Sequence, residues 1–313
     1  MSIQSQRKVY GETLVELGRD NERIVVLEAD LGKSTMSYLF QLAYPERYFE
    51  MGIAEQNMTS FAAGLAVSGK IAFTNSFAVF STGRSYDQIR QSICTANLNV
   101  KINGSSAGLS DFGDGATHQA IEDIATMRAI PNMTVLVPMD AIETKKIVKA
   151  AVEHEGPVYI RISRSDMEDL YPVDAEFKIG QPYKLREGTD ITVFACGVMV
   201  SKALAAAESL EKEGISLRVV NVSSLKPLDE PAIKELASGV KGIITAEEHS
   251  VIGGLTSAIT YILRGNGTPI EPVAIMDVFG QSGIDHDELL EKYGLTVKSI
   301  VDLAKNILKK IDA

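Results

Sequence analysis

The 313-residue sequence contains no tryptophan and only two cysteines, Cys94 and Cys196. Two cysteines so far apart do not suggest a disulfide framework or a cysteine-rich metal cluster, and we expect both to be buried thiols. No apolar stretch reaches the roughly 18 residues that a membrane helix needs, and the polar N-terminal segment lacks the apolar core of a secretion signal. We therefore predict a cytoplasmic protein without a membrane partner.

Positive charge is also in deficit. Lys and Arg together number 31 against 41 Asp and Glu, which gives a formal net charge of −10. A chain of this charge would be repelled by a phosphate backbone, so nucleic acid is excluded as an expected partner. By contrast, the 45% share of hydrophobic residues is typical of a soluble globular protein, and the length allows two domains with separate cores.

Short β-rich segments alternate with helical patterns along the chain. In the first half the strand-like segments are RIVVLEAD, KIAFTNSF, NVKING, TVLVP and PVYIRI, and helical patterns occupy residues 55–67, 86–96, 119–129 and 140–154. Such alternation predicts parallel strands with helices on both faces of the sheet. The rhythm breaks near Asp166, and a second α/β series starts with DITVFACG and ends in a helix at 296–311.

We therefore predict an α/β protein of two domains. Residues 1–180 would form a doubly wound parallel sheet, with a linker at its end. Residues 181–313 would form a smaller α/β domain with a mostly parallel sheet.

Two segments could carry chemistry. FEMGIAEQNM places Glu55 in the first turn of a helix, where the helix dipole alone favours a carboxylate. GLSDFGDGATHQ surrounds Asp114 with glycines and places His118 at the predicted start of a helix. Glycine-rich turns ahead of a helix often present polar groups to a ligand, although a mobile surface loop has the same composition. One Asp and one His match no metal signature, so no metal site is predicted.

Aromatic and cationic residues are ambiguous on their own. Phe73, Phe77 and Phe80 fall at helical spacing, which is typical of a core stripe. The residues Arg7, Ser34 and Arg164 stand at the ends of elements. They would clamp an anion only if the fold brought them together.

Seven segments, taken in order, resemble the transketolase family. They are RK at 7–8, EADLGKS at 28–34, GIAEQNM at 52–58, FAVF at 77–80, GDGATHQAIED at 113–123, ISRSD at 162–166 and TAEEHSVIGG at 245–254. They follow the order of the family's pyrimidine-binding and C-terminal domains. The resemblance implies an enzyme that depends on thiamine diphosphate and Mg²⁺ and transfers a two-carbon ketol unit from a ketose to an aldose.

The resemblance also implies cofactor roles. Glu55 matches the glutamate that hydrogen-bonds a ring nitrogen of the cofactor's aminopyrimidine, and we expect burial to raise its pKa. Phe77 and Phe80 match the aromatic residues that hold this ring, although a third aromatic is replaced by Gly83. Asp30 matches an acidic residue near the cofactor and the subunit contact.

The implied substrate site has one departure from the family pattern. His118 and Asp114 match residues that bind hydroxyls of the donor sugar, and His118 is expected to join Glu55 in catalysis. The residues implied to hold the terminal phosphate are Arg7, Ser34 and Arg164. A further phosphate contact, a histidine twelve positions before His118, is replaced by Ser106. The terminal group could therefore belong to an ordinary sugar phosphate, a branched sugar phosphate or another anionic sugar such as a sulfonate.

The resemblance covers only the C-terminal half of the family pattern. The diphosphate segment, a GDG followed about thirty residues later by Asn, is absent, since the only GDG lies at 113–115. We expect a separate N-terminal subunit to supply this segment and most of the Mg²⁺ site, in a heterotetramer with two copies of each chain. Apolar surface at 49–66 would be buried in that interface.

Three alternatives remain open. Half of a deoxyxylulose-phosphate synthase would share GIAEQ and a segment like RSYDQ at 84–88. The β subunit of a 2-oxoacid dehydrogenase has the same domain pair, but a different context around the glutamate. A partner module without catalytic activity would also keep the fold.

Overall fold

The computed structural model describes residues 2–311 as strands, α-helices and short turns of other helix types. The strands are β1 (Ile3–Ser5), β2 (Ile24–Glu28), β3 (Tyr48–Glu50), β4 (Ile71–Phe77), β5 (Val100–Ser105), β6 (Thr134–Leu136), β7 (Val158–Arg161), β8 (Asp166–Glu168), β9 (Tyr183–Arg186), β10 (Ile191–Ala195), β11 (Leu217–Asn221), β12 (Ser224–Lys226), β13 (Gly242–Ser250) and β14 (Ile270–Ile275). The α-helices are α1 (Gln6–Asp20), α2 (Gly32–Thr35), α3 (Tyr38–Ala43), α4 (Glu55–Val67), α5 (Tyr86–Gln88), α6 (Asp123–Ala129), α7 (Ala141–Glu153), α8 (Met199–Glu211), α9 (Glu230–Leu236), α10 (Leu255–Ile262), α11 (His286–Lys292) and α12 (Val297–Ile311). None of the helices within residues 2–311 combines the length and apolar character that crossing a membrane requires.

Seven strands form the larger sheet, in the order β12-β6-β7-β5-β4-β2-β3. All pairs are parallel except β12 with β6. The central strands β4 and β5 are buried along their whole length, as expected when helices cover both faces of a parallel sheet. The C-terminal ends of the parallel strands meet at one edge, where the loops that follow them lie side by side.

Five strands form the smaller sheet, in the order β14-β13-β10-β11-β9, and only the edge strand β9 is antiparallel. Helices α8 and α12 pack together against this sheet. We call the parts around the larger and smaller sheets the first and second domains. The predicted α/β class, with two mostly parallel sheets, is confirmed.

Some local predictions are wrong. Residues 86–96 do not form one α-helix, because α5 is followed by a π-helical turn at Ile89–Cys94. The helix predicted at 119–129 begins only at Asp123, since Ala120 pairs with Gly108 in an isolated β-bridge.

Several elements were not predicted, and three of them bear on how the chain folds. The segment expected to be a linker contains β8, which pairs with β1, and α1 lies in the segment interpreted only as polar. Strand β12 follows the first strands of the second domain but joins the larger sheet through β6. The two strand pairings join segments distant in sequence, so no local pattern reveals them.

A buried arginine of the first domain, paired with an aspartate of the same domain, also contacts the second domain at the edge of the larger sheet. The Arg161 Nε atom donates to Asp123 Oδ2 at 2.8 Å, and Nη2 donates to the backbone oxygen of Glu248 at 3.0 Å. All three residues are buried. A buried charge is costly unless it is paired, so this contact favours one relative position of the two domains.

Candidate active site

Most of the predicted site residues follow the C-terminal ends of parallel strands in the larger sheet. Asp30 follows β2, Glu55 follows β3, Phe80 follows β4, Ser106 follows β5 and Arg164 follows β7. This common edge, rather than any closeness in sequence, brings the predicted residues to one side of the molecule.

Glu55 is the first residue of α4 and is only 4% exposed. Its Oε1 atom accepts a hydrogen bond from Arg84 Nη1 at 2.8 Å, while the Arg84 side chain itself is half-exposed. A cavity of about 340 Å³ opens beside this pair, lined by residues 53–57 and Arg84. The helix dipole alone does not require this burial, so Glu55 is more than a solvated charge at a helix start.

Arg84 is a site residue that the sequence analysis missed. Its guanidinium carbon lies 4.2 Å from the centre of the Phe80 ring, so one cation contacts both Phe80 and Glu55. The signal was present in RSYDQ at 84–88, directly after the phenylalanine pair. Without the fold, this segment indicates only a family resemblance.

The rings of Phe77 and Phe80 are stacked, with centroids 6.0 Å apart and planes at 21°. The helical spacing predicted for the phenylalanines is wrong, because Phe73 and Phe77 lie in β4. Phe80 begins a π-helical turn that ends at Arg84, and turns of this type are frequent at functional sites.

His118 lies against the same aromatic pair. Its ring contacts Phe80 edge to face at a centroid distance of 5.1 Å, and Phe77 at 6.2 Å. The Thr117 hydroxyl lies 2.9 Å from His118 Nδ1 and can fix the orientation of the ring. The predicted helix start at His118 is wrong, since the residue follows a short 3-10 turn at Gly115–Thr117.

The second domain braces the loop that carries His118. Glu248 Oε1 accepts from the Leu109 backbone N–H at 2.8 Å and pairs with His286 Nε2 at 2.7 Å. Gly108 has a φ of +66°, and a Cβ there would lie 2.4 Å from the Glu248 carboxyl carbon. The loop therefore requires glycine at this position to approach the second domain. Gln119 adds a hydrogen bond to the Gln281 backbone oxygen at 2.9 Å.

The three predicted anion contacts lie on one side of the site. Arg7 Nη1 donates to the Ser34 backbone oxygen at 2.8 Å. Burial, and then the charge of Arg164, lower the pKa of Arg7 below its ordinary value, so the two guanidinium groups are neighbours. Both line a cavity of about 590 Å³ between the two domains. Arg164 Nη1 is also paired with Asp111 Oδ1 at 2.7 Å, a contact that the sequence analysis did not anticipate.

Three further predicted residues have distinct positions. Ser106 is buried at a φ of +52°, and its hydroxyl has no hydrogen-bond partner within residues 2–311. Asp114 is exposed and lies next to Asp111. Asp30 is exposed at the end of β2, where its backbone N–H donates to Glu50 Oε1 at 2.9 Å, and no hydrogen bond joins it to Glu55 in the described part of the chain.

The family models match both parts of the chain. Residues 4–169 match the transketolase pyrimidine-binding domain, and residues 180–300 match the transketolase C-terminal domain. The chain belongs to the transketolase family. The two matches contain every side chain described above.

Several transketolase relatives match along nearly their whole length. A Methanocaldococcus jannaschii protein, provisionally named as a transketolase C-terminal section, is 46% identical over 97% of this chain and 96% of its own length. A 6-deoxy-6-sulfo-D-fructose transketolase subunit of Clostridium sp. is 41% identical over 97% of this chain and 94% of its own. A solved structure described as an inactive β4 tetramer of a split-gene transketolase has a TM-score of 0.88 at 49% identity, covering 97% of this chain and 98% of that one.

Longer transketolases match only in part. Against the transketolase of Mus musculus the identity is 38%, over 97% of this chain but 49% of the mouse protein. Together with the relatives named as a section or a subunit, this identifies the chain as a transketolase-type subunit.

Proposed function

We propose that this chain forms the pyrimidine-binding half of a thiamine-diphosphate-dependent transketolase, and that it transfers a two-carbon ketol unit from a ketose to an aldose. The observation that carries the proposal is the position of Glu55. Its carboxylate is buried, borders a cavity, and is connected through Arg84 to the stacked rings of Phe77 and Phe80.

These residues fit the aminopyrimidine part of the cofactor. A planar ring with hydrogen-bonding nitrogens suits a carboxylate beside an aromatic pair, because the rings hold its faces and the carboxylate holds its edge. When bound, thiamine diphosphate supplies the electron sink that lets a bond next to a ketose carbonyl break. The protein supplies position and proton exchange.

With the cofactor bound, the buried carboxyl group of Glu55 would share a proton with the ring nitrogen through a hydrogen bond. In the structure Arg84 already occupies Glu55 Oε1. The aminopyrimidine therefore has to displace Arg84 or use the second carboxylate oxygen. Arg84 can move because its side chain is half-exposed, so that water can solvate its guanidinium group once the contact with Glu55 is broken.

His118 and Asp114 bind the hydroxyls of the donor sugar. The rings of His118 and Phe80 pack edge to face, so the His118 nitrogens lie close to the place proposed for the cofactor. His118 can therefore exchange a proton with the oxygen bonded to the reacting carbon of the sugar. The far end of the sugar extends towards Arg7 and Arg164 in the cavity between the domains.

A separate N-terminal subunit completes the site, and contributes the diphosphate contacts and most of the Mg²⁺ ligands. Relatives of the same length are named as a subunit or a section, and the mouse transketolase is about twice as long. The exposed apolar residues Ile53, Phe61 and Val67 on and beside α4 suit an interface within the proposed heterotetramer.

The test is turnover of a reconstituted complex. The chain is mixed with the N-terminal subunit, thiamine diphosphate and Mg²⁺, and loss of a ketose donor is followed with an aldose acceptor present. We expect ketol transfer with these two sugars alone, whereas a deoxyxylulose-phosphate synthase or an oxoacid dehydrogenase would need an added 2-oxoacid such as pyruvate and would release carbon dioxide from it.

The matched variants are Glu55→Gln and Glu50→Gln. The first should abolish turnover. The second should retain it, because the new amide oxygen at position 50 can still accept from the N–H groups of Asp30 and Gly52. Equal turnover of Glu55→Gln and wild type would favour a partner module without catalytic activity.

A further inference from the structure

Asp111 is an acidic residue inside the part of the site that the resemblance assigns to an anion. Its side chain is 1% exposed, and Oδ1 accepts from Arg164 Nη1 at 2.7 Å. Oδ2 has no hydrogen-bond partner among residues 2–311. Burial raises the pKa of Asp111, Arg164 opposes that shift, and the nearby Asp114 adds to it.

The position of Asp111 is specific. It lies between Arg164, at the end of the cavity assigned to the terminal group, and Asp114 and His118, which are proposed to hold the sugar hydroxyls. The negative charge of Asp111 partly neutralises Arg164, so this arginine attracts a second anion less strongly than an unpaired one would. Ser106, which replaces a histidine of the family pattern, brings no positive charge to compensate.

The other residues that line the cavity do not supply the missing positive charge. The cationic residues that line it are Arg7, Arg164 and Lys202, and the acidic ones are Asp166, Glu168, Asp285 and Asp287. Burial lowers the pKa of His286 in the same lining, but its contact with Glu248 outweighs this and raises the pKa overall. Even with His286 protonated, the lining is close to neutral before Asp111 is added. A site for a dianion is normally much more positive.

We propose that Asp111 is a specificity-determining residue, which makes the site favour sugars with a singly charged or uncharged terminal group over sugars that end in a phosphate dianion. The inference rests on the proposed function. It concerns only which substrates are preferred, so an experiment can refute it without refuting ketol transfer.

The kinetic test compares two acceptors of the reconstituted complex, D-ribose 5-phosphate and D-ribose, with one ketose donor. Replacing Asp111 by Asn removes the charge and keeps the shape. We expect KM for the phosphorylated acceptor to fall about tenfold, with KM for ribose and both kcat values nearly unchanged. Asp190→Asn is the control, because it removes one charge from an ion pair with Lys241 in the second domain.

Anion binding tests the inference without turnover. Calorimetric titration of the complex at pH 8 uses inorganic phosphate, a dianion there, and methanesulfonate, a monoanion. Because the Coulomb energy scales with ligand charge, Asp111→Asn should strengthen phosphate binding about tenfold and methanesulfonate binding about threefold. Asp111→Ser should give the same ranking if the Asn variant folds poorly.

Two results would overturn the inference. One is an unchanged ratio of phosphate to methanesulfonate affinity in both variants. The other is weaker binding of every ligand, which would mean that Asp111 only positions Arg164. If wild type transfers no ketol unit but the affinity ratio shifts as expected, the proposed function fails and the assignment of Asp111 stands.

Discussion

Each domain contains a distinctive segment with buried glutamates, but the glutamates of the two segments have different surroundings. In the first domain, Glu55 ends a loop at the open edge of the larger sheet and borders a cavity. In the second, Glu247 accepts from the Leu255 and Thr256 N–H groups at 2.6 and 2.8 Å, and so closes the start of α10. Its neighbour Glu248 braces the loop that carries His118. A distinctive segment therefore indicates that its glutamates matter. Only the groups around each glutamate indicate whether it suits a chemical or a structural role.

Glu248→Ala should have the largest effect of the variants, and the effect should be on the stability of the fold. It leaves the Leu109 N–H and His286 without their partner, and loss of one member of a buried pair costs about 3–5 kcal/mol of unfolding free energy. Thermal and denaturant unfolding measure the loss, and Glu271→Ala, a less buried change in the same domain, is the control. If turnover were lost while stability stayed unchanged, Glu248 would be a catalytic residue, and the contrast with Glu55 would be wrong.

His118→Ala should have the opposite effect, with a large loss of activity and little change in stability. We expect about a 100-fold loss of kcat/KM for the ketose donor, in the range of one lost proton-transfer group, with the unfolding midpoint nearly unchanged. Thr117→Ala removes only the hydroxyl beside Nδ1, so its loss should be smaller. A stability loss as large as that of Glu248→Ala would mean that His118 is a packing residue.

Glu143 is a carboxyl group buried between the two domains, and its burial should make the stability of the protein depend on pH. Its Oε1 accepts from Asn221 Nδ2 at 2.8 Å, and burial raises its pKa from 4.5 to about 7. The folded protein then keeps a proton that the unfolded chain loses, so stability falls as the pH rises from 4.5 to 7. The slope should be about 1.4 kcal/mol per pH unit for this proton. Unfolding across this range should show a smaller slope for Glu143→Gln, and an equal slope would refute the assignment.

Arg84→Ala should have the smallest effect. Glu55 is buried, but the Arg84 side chain is half-exposed and an open cavity borders the pair, so water can replace the lost guanidinium and stability should change by about 1 kcal/mol. We expect cofactor affinity of the complex, measured by calorimetry, to rise by up to about fivefold, because no ion pair has to be displaced. Arg90→Ala is the exposed control. Weaker binding would instead make Arg84 a cofactor contact.

Much of the fold was predictable, because periodic patterns report local structure. Helix α4 and strand β4 lie almost where the sequence placed them. Strand β12 was not predictable, since its pairing with β6 depends on a contact about ninety residues away along the chain.

The candidate site shows the same limit. Glu55 could be singled out from its segment and from the family resemblance. Arg84 and Asp111 could not, because an arginine or an aspartate acquires its meaning only from the group it faces. In this chain those groups are Glu55 and Arg164, which lie 29 and 53 positions away.

The central claim is that Glu55 activates the cofactor. The most direct measurement is the rate at which the thiazolium C2 proton exchanges for deuterium in the reconstituted complex, followed by proton NMR after acid quench. With wild type the exchange should be faster than with free thiamine diphosphate by several orders of magnitude. With Glu55→Gln it should return close to the free rate, while Glu50→Gln behaves as wild type. Equally fast exchange in the Glu55→Gln complex would contradict the account.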